Sequence, residues 1–462
     1  MVKLSPVALS RFSTGPAHAP RDPYTGIEYN TGFTVEHYDL NLDYRVEPNH
    51  LSGQAALTVT ADAESAEPSA NLTLDMAATL SADRVSVSGA PRVVRFRQSG
   101  GKLRIKLAKA PRPGSTFTIR IQYSGNPRPL RTRWGELGWE ETFSGSLVAS
   151  QPNGAPSWFP CDDTPAAKAT FRIAVVADDP FTVLANGRLV ETKPAGPGNT
   201  RWVFETAHPM ATYLATVQVG EYERIPLGPT TQAFAPAHLR GAVREDFSHQ
   251  QEMLDFFSDL FGPYPFTDYT VVITPDELEI PVEAQGLSTF GANHARGQHA
   301  FERLIAHELC HQWFGNSVGL TGWRDIWLNE GFACYCEWLW AEHASGGTTT
   351  TAHRVARSHY DVLQRKPQNI TVADPGADDM FDDRVYKRGA LTLHAVRRAL
   401  GDAPFFAAVR SYLADNQHST VTEDDLVAYF HAAAEQAGIG THVIDDLLTA
   451  WVRQSSLPAF PH

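Results

Sequence analysis

The chain has 462 residues, which is long for a single hydrophobic core and predicts two or three domains. Asp and Glu outnumber Lys and Arg by 52 to 39, and the resulting net charge of −13 argues against a nucleic-acid-binding surface. Hydrophobic residues make up 42% and charged residues 20%, as in ordinary soluble globular proteins, and no stretch is long and apolar enough to suggest a membrane span.

The N-terminus and the cysteines bear on the cellular compartment. Residues 1–30 are rich in Pro, Gly, Ser and Ala and predict a flexible arm, without the apolar segment of a signal peptide. The four cysteines do not form the pattern of a disulfide framework, because Cys334 and Cys336 are too close in sequence for an unstrained bridge and Cys310 falls inside a predicted metal-binding helix. We therefore expect a cytoplasmic protein with reduced cysteines.

Residues 31–225 have the hydrophobic pattern of an antiparallel β domain, either a saddle or a sandwich. Apolar and polar residues alternate from Tyr38 to Val46 and again from Phe117 to Tyr123, as in half-buried strands. Two alternating runs flank Gly100 and Gly101 and predict a hairpin. A proline-bearing segment at 225–238 is then the expected joint between domains.

Residues 226–462 have a mainly helical pattern, so the whole chain is predicted to be α+β. A helix is expected over 243–261, ending before Gly262, and another is expected to end near Gly401. Thr422 and Asp425 have the spacing of a capping box at the start of a third helix. We expect the segment 279–286 to be an edge strand of a small mixed sheet that lines a cleft.

The sequence from 307 to 311, HELCH, predicts a metal-binding helix. Successive residues of an α-helix turn by about 100°, so His307 and His311 lie roughly 40° apart and direct both imidazoles to one point. Glu308 reaches the same point without being a ligand, and its natural role is that of a general base. Cys310 projects about 100° away from His311, so we interpret it as a small core residue rather than a ligand.

Glu330 supplies the third ligand in a second helical pattern, nineteen positions after His311. Two histidines, one carboxylate and a water molecule form an open catalytic zinc site. The alternative is that the histidines are ordinary helix residues and Glu330 is a surface charge. We predict one zinc ion per chain, held by His307, His311 and Glu330.

Five further blocks, in the same order and at similar spacing, resemble those of the zinc aminopeptidases related to aminopeptidase N and leukotriene hydrolase, which are gluzincin metallopeptidases. The blocks are WLNEGFA after the HELCHQWFGN stretch, VYKRGA at 385–390, FPCDDTPAAKATF at 159–171, PMATYLATVQVGEYE at 209–223 and EIPVEAQGLSTF at 279–290. The last block departs from the family pattern, since Ala284 stands where Asn is expected. The resemblance implies a thermolysin-like catalytic domain at 226–462 in a short form without the family's additional C-terminal helical domain.

The same resemblance implies roles for residues outside the metal helix. Tyr386 is expected to stabilise the oxyanion, although from its neighbours alone it would be a core aromatic. Glu283 is expected to bind the free α-amino group of the peptide. Gln151 or Asn153 is expected to reach that amine from a loop of the β domain.

The predicted reaction is removal of N-terminal residues from peptides, in which a zinc-bound water is activated by Glu308. Alternatives are a zinc endopeptidase of the thermolysin type, an epoxide hydrolase of the leukotriene type and a non-catalytic binding member of the family.

Asn329 and Asp325 are candidates for orienting the ligands, or else solvated helix residues. The expected partners are peptides with a free N-terminus, with no nucleic acid and no membrane, and a monomer is favoured.

Overall fold

In the computed structural model the described residues are 21–63, 69–346 and 349–461. The prediction of a flexible arm at 1–30 is wrong for residues 21–30, and the rest of that segment lies outside the described residues. Tyr24 is buried, and its hydroxyl donates a hydrogen bond to Asp374. The Asp22 carboxylate accepts hydrogen bonds from the backbone of Tyr24 and Thr25. The contact with Asp374 fixes the segment against the C-terminal part of the chain, and the Asp22 contacts stabilise its own turn.

The N-terminal part of the chain is built from β-strands with buried and exposed residues in alternation. In chain order they are β1 Phe33–Arg45, β2 His50–Ala61, β3 Asn71–Asp75, β4 Leu80–Ser88, β5 Val93–Ser99, β6 Lys102–Leu107, β7 Thr116–Gly125, β8 Leu130–Thr132, β9 Gly135–Thr142, β10 Gly145–Ala149, β11 Thr170–Asp178, β12 Thr182–Ala185, β13 Arg188–Pro194, β14 Asn199–Glu205 and β15 Val217–Gly220. The predicted hairpin about Gly100 and Gly101 is present as β5 and β6.

These strands form a seven-stranded sheet in the order β13-β14-β11-β1-β2-β7-β4, a five-stranded sheet β12-β15-β10-β9-β8 and a three-stranded sheet β3-β6-β5. The expectation of a wholly antiparallel domain is wrong for one pair, because β1 and β11 run parallel. Strands that lie far apart in sequence need no hairpin and are free to pair in parallel. The ring of Tyr38 on β1 stacks on Phe171 of β11 with centroids 4.7 Å apart, so this parallel pair is part of the core.

A further mixed sheet, of five strands, begins the mainly helical part of the chain. It contains β16 Glu223–Pro226, β17 Thr231–Ala235, β18 Tyr269–Ile273, β19 Val282–Ala284 and β20 Leu287–Phe290, in the order β16-β17-β18-β20-β19. The segment 225–238 is therefore not a joint, because most of it forms the β16–β17 hairpin of this sheet. β19 lies at the edge of the sheet, as predicted for the segment 279–286.

Helices make up most of the remainder, together with a short parallel pair, β21 Gly319–Leu320 and β22 Thr420–Val421. They are α1 Arg240–Asp246, α2 Gln250–Phe261, α3 Glu302–Cys310, α4 Trp327–Ala344, α5 Thr349–Leu363, α6 Asp383–Leu400, α7 Asp402–Asp415, α8 Glu423–Gln436 and α9 His442–Leu448. The helix predicted over 243–261 is broken into α1 and α2. The predicted end near Gly401 and the capping box of Thr422 and Asp425 are both present. In the described part of the chain no helix is long and apolar enough to cross a membrane.

Close packing of α4 on α6 positions the site. A Cβ atom added to Gly331 would lie 3.0 Å from the backbone of Gly389, so a larger side chain at either position would push the helices apart. Glu330 is adjacent to Gly331, and Tyr386 lies one turn before Gly389. The two glycines therefore bring the predicted third ligand and the predicted oxyanion donor to the same place.

Candidate active site

His307, His311 and Glu330 meet at one point between α3 and α4. His307 lies in the last turn of α3, His311 directly follows that helix, and Glu330 lies in the first turn of α4. The Nε2 atoms of both histidines are 3.5 Å from Oε2 of Glu330. All three side chains are almost completely buried.

The Nδ1 atoms of the two histidines face away from this point and are already engaged. Nδ1 of His307 lies 2.9 Å from Oε1 of Glu337, and Nδ1 of His311 lies 3.1 Å from the carbonyl oxygen of Phe314. Because both partners can only accept, each Nδ1 carries a proton, which leaves Nε2, the nitrogen directed at Glu330, as the one that can bind a metal ion. This is the arrangement that metal-binding histidines adopt.

These distances fit a zinc ion. Ligand atoms about 2.0–2.2 Å from zinc at tetrahedral angles are separated by roughly 3.3–3.6 Å. The two observed Nε2–Oε2 separations of 3.5 Å match that geometry. The three donor atoms also lie within 4.8 Å of one another.

Electrostatics in the protein alone also favour a cation at this point. Burial by itself lowers the pKa of His307, but its hydrogen bonds to Glu330 and Glu337 outweigh that effect and raise the pKa to about 9. Burial would raise the pKa of Glu330, but the charge of His311 and the hydrogen bonds from both histidines lower it to about 2. In the protein alone, protons on the histidines supply the positive charge next to these carboxylates. A bound metal ion would supply that charge in their place.

Two further carboxylates face the same point. Donor atoms of Glu283, Glu308 and His311 lie within 4.8 Å of one another, and all three side chains are buried. Burial raises the pKa of Glu308 to about 7, and the charges of Glu283 and Glu330 act in the same direction. Oε2 of Glu308 is buried and accepts no hydrogen bond from any described residue, so it is free to accept a proton.

The β domain contributes a loop residue to the site. Nε2 of Gln151 donates a hydrogen bond of 2.7 Å to Oε1 of Glu283. Of the two residues predicted in this loop, Gln151 is therefore the one that contacts Glu283. Asn153 makes no contact of this kind, and within the described part of the chain its buried Oδ1 has no hydrogen-bond partner.

Tyr386 packs beside the metal ligands. Its ring lies nearly parallel to that of His307, with centroids 6.1 Å apart, and the side chain is partly exposed. Burial of the hydroxyl raises its pKa well above the usual value, and the charges of Glu330, Glu283 and Glu308 raise it further. The phenol therefore keeps its proton at neutral pH and remains a hydrogen-bond donor.

The edge strand β19 is fixed to the metal helix through its backbone. The carbonyl oxygen of Ala284 accepts hydrogen bonds from Nε2 of Gln312 at 3.1 Å and from Nδ2 of Asn316 at 3.0 Å. Oε1 of Gln312 in turn accepts from the backbone of Gly286 at 2.8 Å. These contacts hold Glu283 in place through the neighbouring backbone, and they do not require the side chain at 284, where Ala replaces the expected Asn.

The expectation of four reduced cysteines is wrong for one pair. Cys310 and Cys336 form a disulfide between α3 and α4, with their Cα atoms 6.3 Å apart, which lies in the usual range. Cys161 and Cys334 are free and buried. The pairing arises because the helix packing that brings Glu330 to the histidines also brings Cys336 to the back of α3.

Asn329 and Asp325 are both buried, so the alternative of solvated helix residues is wrong. The residue that orients His307 is instead Glu337, which the sequence analysis did not single out. It lies seven positions after Glu330, two turns further along the same face of α4. This spacing indicates from the sequence alone that Glu337 faces the same helix as Glu330 does. Arg303 and Lys387 lie 3.3 Å and 3.8 Å from its other oxygen and balance its charge.

Family models match both parts of the chain. A model of the peptidase M1 N-terminal domain matches residues 34–214, and a model of the peptidase family M1 domain matches residues 245–451. An M1 zinc metallopeptidase from Deinococcus radiodurans has 30% identical residues and a TM-score of 0.82, with 96% of this chain and 99% of that one covered. The chain belongs to peptidase family M1. The predicted family and the predicted α+β class are confirmed.

Curated relatives of this M1 chain are named aminopeptidases. Aminopeptidase Q of Acinonyx jubatus is 25% identical over 96% of this chain and 50% of its own length. Human endoplasmic reticulum aminopeptidase 1 is 28% identical over 69% of this chain and 37% of its own length. This chain thus spans about half or less of the length of these relatives. The structure of yeast LTA4 hydrolase, 21% identical with a TM-score of 0.79 over 97% of this chain and 72% of that one, shares the fold.

Proposed function

We propose that this M1 chain is a zinc-dependent aminopeptidase that removes residues from the free N-termini of peptides. The observation that supports it most strongly is the charge of the site. Glu283, Glu308 and Glu330 place three buried carboxylates around one point, while the two histidines are neutral when they act as ligands. One zinc ion and one substrate ammonium group together supply three positive charges, which equals the charge of the three carboxylates in their ionised form.

His307, His311 and Glu330 would hold the zinc ion. When bound, zinc supplies Lewis-acid chemistry that polarises a peptide carbonyl and makes a water molecule more acidic. Glu308, with its raised pKa and an unengaged oxygen, accepts the proton of the attacking water and passes it to the leaving amine. Tyr386, which remains protonated, donates a hydrogen bond to the oxyanion that develops on the carbonyl.

Glu283 distinguishes an aminopeptidase from an endopeptidase in this proposal. Its carboxylate is buried, lies close to Glu308 and the metal ligands, and is oriented by Gln151. An ammonium group adjacent to the scissile bond forms a charge-assisted hydrogen bond with it, which an internal residue of a peptide cannot do. A mutant of the Deinococcus metallopeptidase has been solved bound to a Tyr-Ser-Ala substrate, and a peptide of that kind suits this site.

The test follows the products of an unblocked peptide by mass spectrometry. The enzyme is assayed as purified, after chelation and after reloading with Zn²⁺. We expect stepwise loss of single N-terminal residues, abolished by the chelator and restored by zinc. Glu308→Gln should retain zinc but lose about 10²- to 10⁴-fold in kcat, because an amide cannot accept the proton.

Other outcomes point to the alternatives. Internal fragments as the first products would indicate an endopeptidase of the thermolysin type. A zinc-loaded protein that binds the peptide and leaves it intact would indicate a non-catalytic member of the family. Full activity of zinc-loaded Glu308→Gln would refute the proposed role of Glu308.

A further inference from the structure

A second group of metal-binding side chains lies at the start of α2 and α3. His249 directly precedes α2, His299 lies in the loop before α3, and Glu302 is the first residue of α3. One donor atom from each lies within 4.8 Å of the other two. Nδ1 of His249 is 2.6 Å from Oε1 of Glu302, and the two imidazole rings are nearly parallel with centroids 5.4 Å apart.

The loop that carries His299 is held firmly in position. The buried carboxylate of Asp246 accepts three backbone hydrogen bonds of 2.6–2.7 Å, from Gly297, Gln298 and His299. His299 has a φ of 51°, in the left-handed region that residues other than glycine rarely adopt. The three hydrogen bonds to Asp246 thus keep His299 next to His249 although its backbone conformation is unfavourable for a residue other than glycine.

One ring nitrogen of His299 lacks a partner. Nδ1 is buried and makes no hydrogen bond to any described residue, although Nε2 lies 3.4 Å from Oε1 of Glu245. A buried polar atom without a partner is destabilising, so a structure does not usually keep one without compensation. A metal ion bound at Nδ1 would satisfy this nitrogen, while Nε2 keeps its contact with Glu245.

A simple ion pair does not account for this group. His431 and Asp445 form such a pair elsewhere on the surface, with Nε2 and Oδ1 2.9 Å apart, and it contains one histidine. In the second group a further imidazole lies nearly parallel to the paired one, so the group contains one ring more than an ion pair requires. Two imidazoles and a carboxylate are a donor set that binds zinc and similar divalent ions, and a bound ion would widen the 2.6 Å contact of His249 with Glu302 to the roughly 3.3–3.6 Å between two zinc ligands.

We propose that His249, His299 and Glu302 bind a second divalent transition-metal ion of the zinc class. The three side chains are 46%, 33% and 28% exposed, so the ion exchanges with solvent more readily than one held by the buried ligands His307 and His311. Glu302 and His307 are five positions apart on α3 and project about 140° apart around its axis, which separates the two sites. The ion would tie α2 and the 297–299 loop to the helix that carries the catalytic ligands.

The experiment counts metal ions on the intact chain. Protein that already holds one zinc per chain is dialysed against micromolar Zn²⁺, and bound zinc is measured by elemental analysis. We expect two zinc ions per wild-type chain and one per His299→Ala chain. His431→Ala, which removes an equally exposed paired histidine, should retain two. Addition of Zn²⁺ should also raise the melting temperature of the wild type, because the ion binds only the folded chain.

Glu302→Gln provides a second variant of nearly unchanged shape, which should weaken binding of the second ion by about 10- to 100-fold. Unchanged peptide hydrolysis and circular dichroism show that each variant is folded and that its first zinc is in place. The proposal is overturned if the wild type saturates at one zinc ion per chain. It is equally overturned if folded His299→Ala still binds two, or if His431→Ala loses zinc to the same extent.

Discussion

Glu337 accepts a hydrogen bond of 2.9 Å from Nδ1 of His307, thirty residues away in the chain. This contact places the proton on Nδ1 and directs Nε2 toward Glu330. It also joins the two helices that carry the ligands through a polar contact, in addition to the disulfide between Cys310 and Cys336. The metal site therefore depends on a residue that does not itself face the metal.

Glu337→Gln should weaken zinc binding by about 10- to 100-fold, because the uncharged amide leaves the His307 ring less basic and less firmly oriented. The measurement is competition for zinc against a chelator of known affinity. Glu252→Gln provides the matched control, since Glu252 pairs with His343 at 3.2 Å on the surface. Equal zinc affinity in both variants would contradict the role given to Glu337.

Tyr386→Phe should lower kcat by about 10²-fold or more and leave KM nearly unchanged, because an oxyanion donor acts mainly in the transition state. Steady-state kinetics on one unblocked peptide measures both constants. Tyr360→Phe serves as a control, since the Tyr360 hydroxyl donates to the carbonyl of Pro458 at 2.8 Å. If Tyr386→Phe lowers stability while the folded fraction keeps its kcat, Tyr386 is only a core aromatic.

Gln151→Ala should raise KM for unblocked peptides by about tenfold, since the variant loses a hydrogen bond to the charged Glu283, and such bonds contribute roughly 1.5–3 kcal/mol. Asn153→Ala should have a much smaller effect, because Asn153 makes no comparable contact with Glu283. The comparison uses the same peptide and zinc-loaded enzyme throughout. A larger effect of Asn153→Ala would reverse the assignment of the loop.

Asp162 in the β domain should make stability depend on pH. Burial raises its pKa from 3.8 to about 7, although Nδ2 of Asn30 donates a 2.8 Å hydrogen bond that acts in the opposite direction. The folded state therefore binds this proton more tightly than the unfolded state. Its stabilising contribution is complete below pH 3.8 and is lost as the pH rises toward 7.

Asp162→Asn should accordingly raise the melting temperature in mildly alkaline buffer and have a smaller effect in mildly acidic buffer. The amide oxygen still accepts the hydrogen bond from Asn30, so the local structure is retained. Asp83→Asn, at an exposed position, should change neither value. An equal shift of Asp162→Asn at both pH values would contradict the raised pKa.

The parts of the site that could be predicted are those set by local spacing. His307, Glu308 and His311 lie within one helical turn, so helix periodicity alone brings them together. Tyr386 and Glu283 were identified through family motifs. The choice between Gln151 and Asn153 depends on a loop conformation that neither periodicity nor motif describes.

The errors concern contacts between segments far apart in sequence. The parallel pairing of β1 with β11 and the bridge between Cys310 and Cys336 depend on tertiary packing. At 225–238 the prolines suggested a joint, yet Gln232 and Phe234 alternate with buried residues of a short strand. Short strands in proline-bearing segments have too few residues for their alternation to be recognised.

Recognition of the free amine is the central claim, and one ratio tests it most directly: kcat/KM for a peptide divided by kcat/KM for its N-acetylated form. In the zinc-loaded wild type we expect this ratio to be about a hundred or more, since loss of one partner of a buried charged pair costs 2–5 kcal/mol. Glu283→Gln should lower it toward one, and Glu279→Gln, four positions earlier and exposed, should leave it unchanged. A ratio near one in the wild type, or an unchanged ratio in Glu283→Gln, would contradict the account.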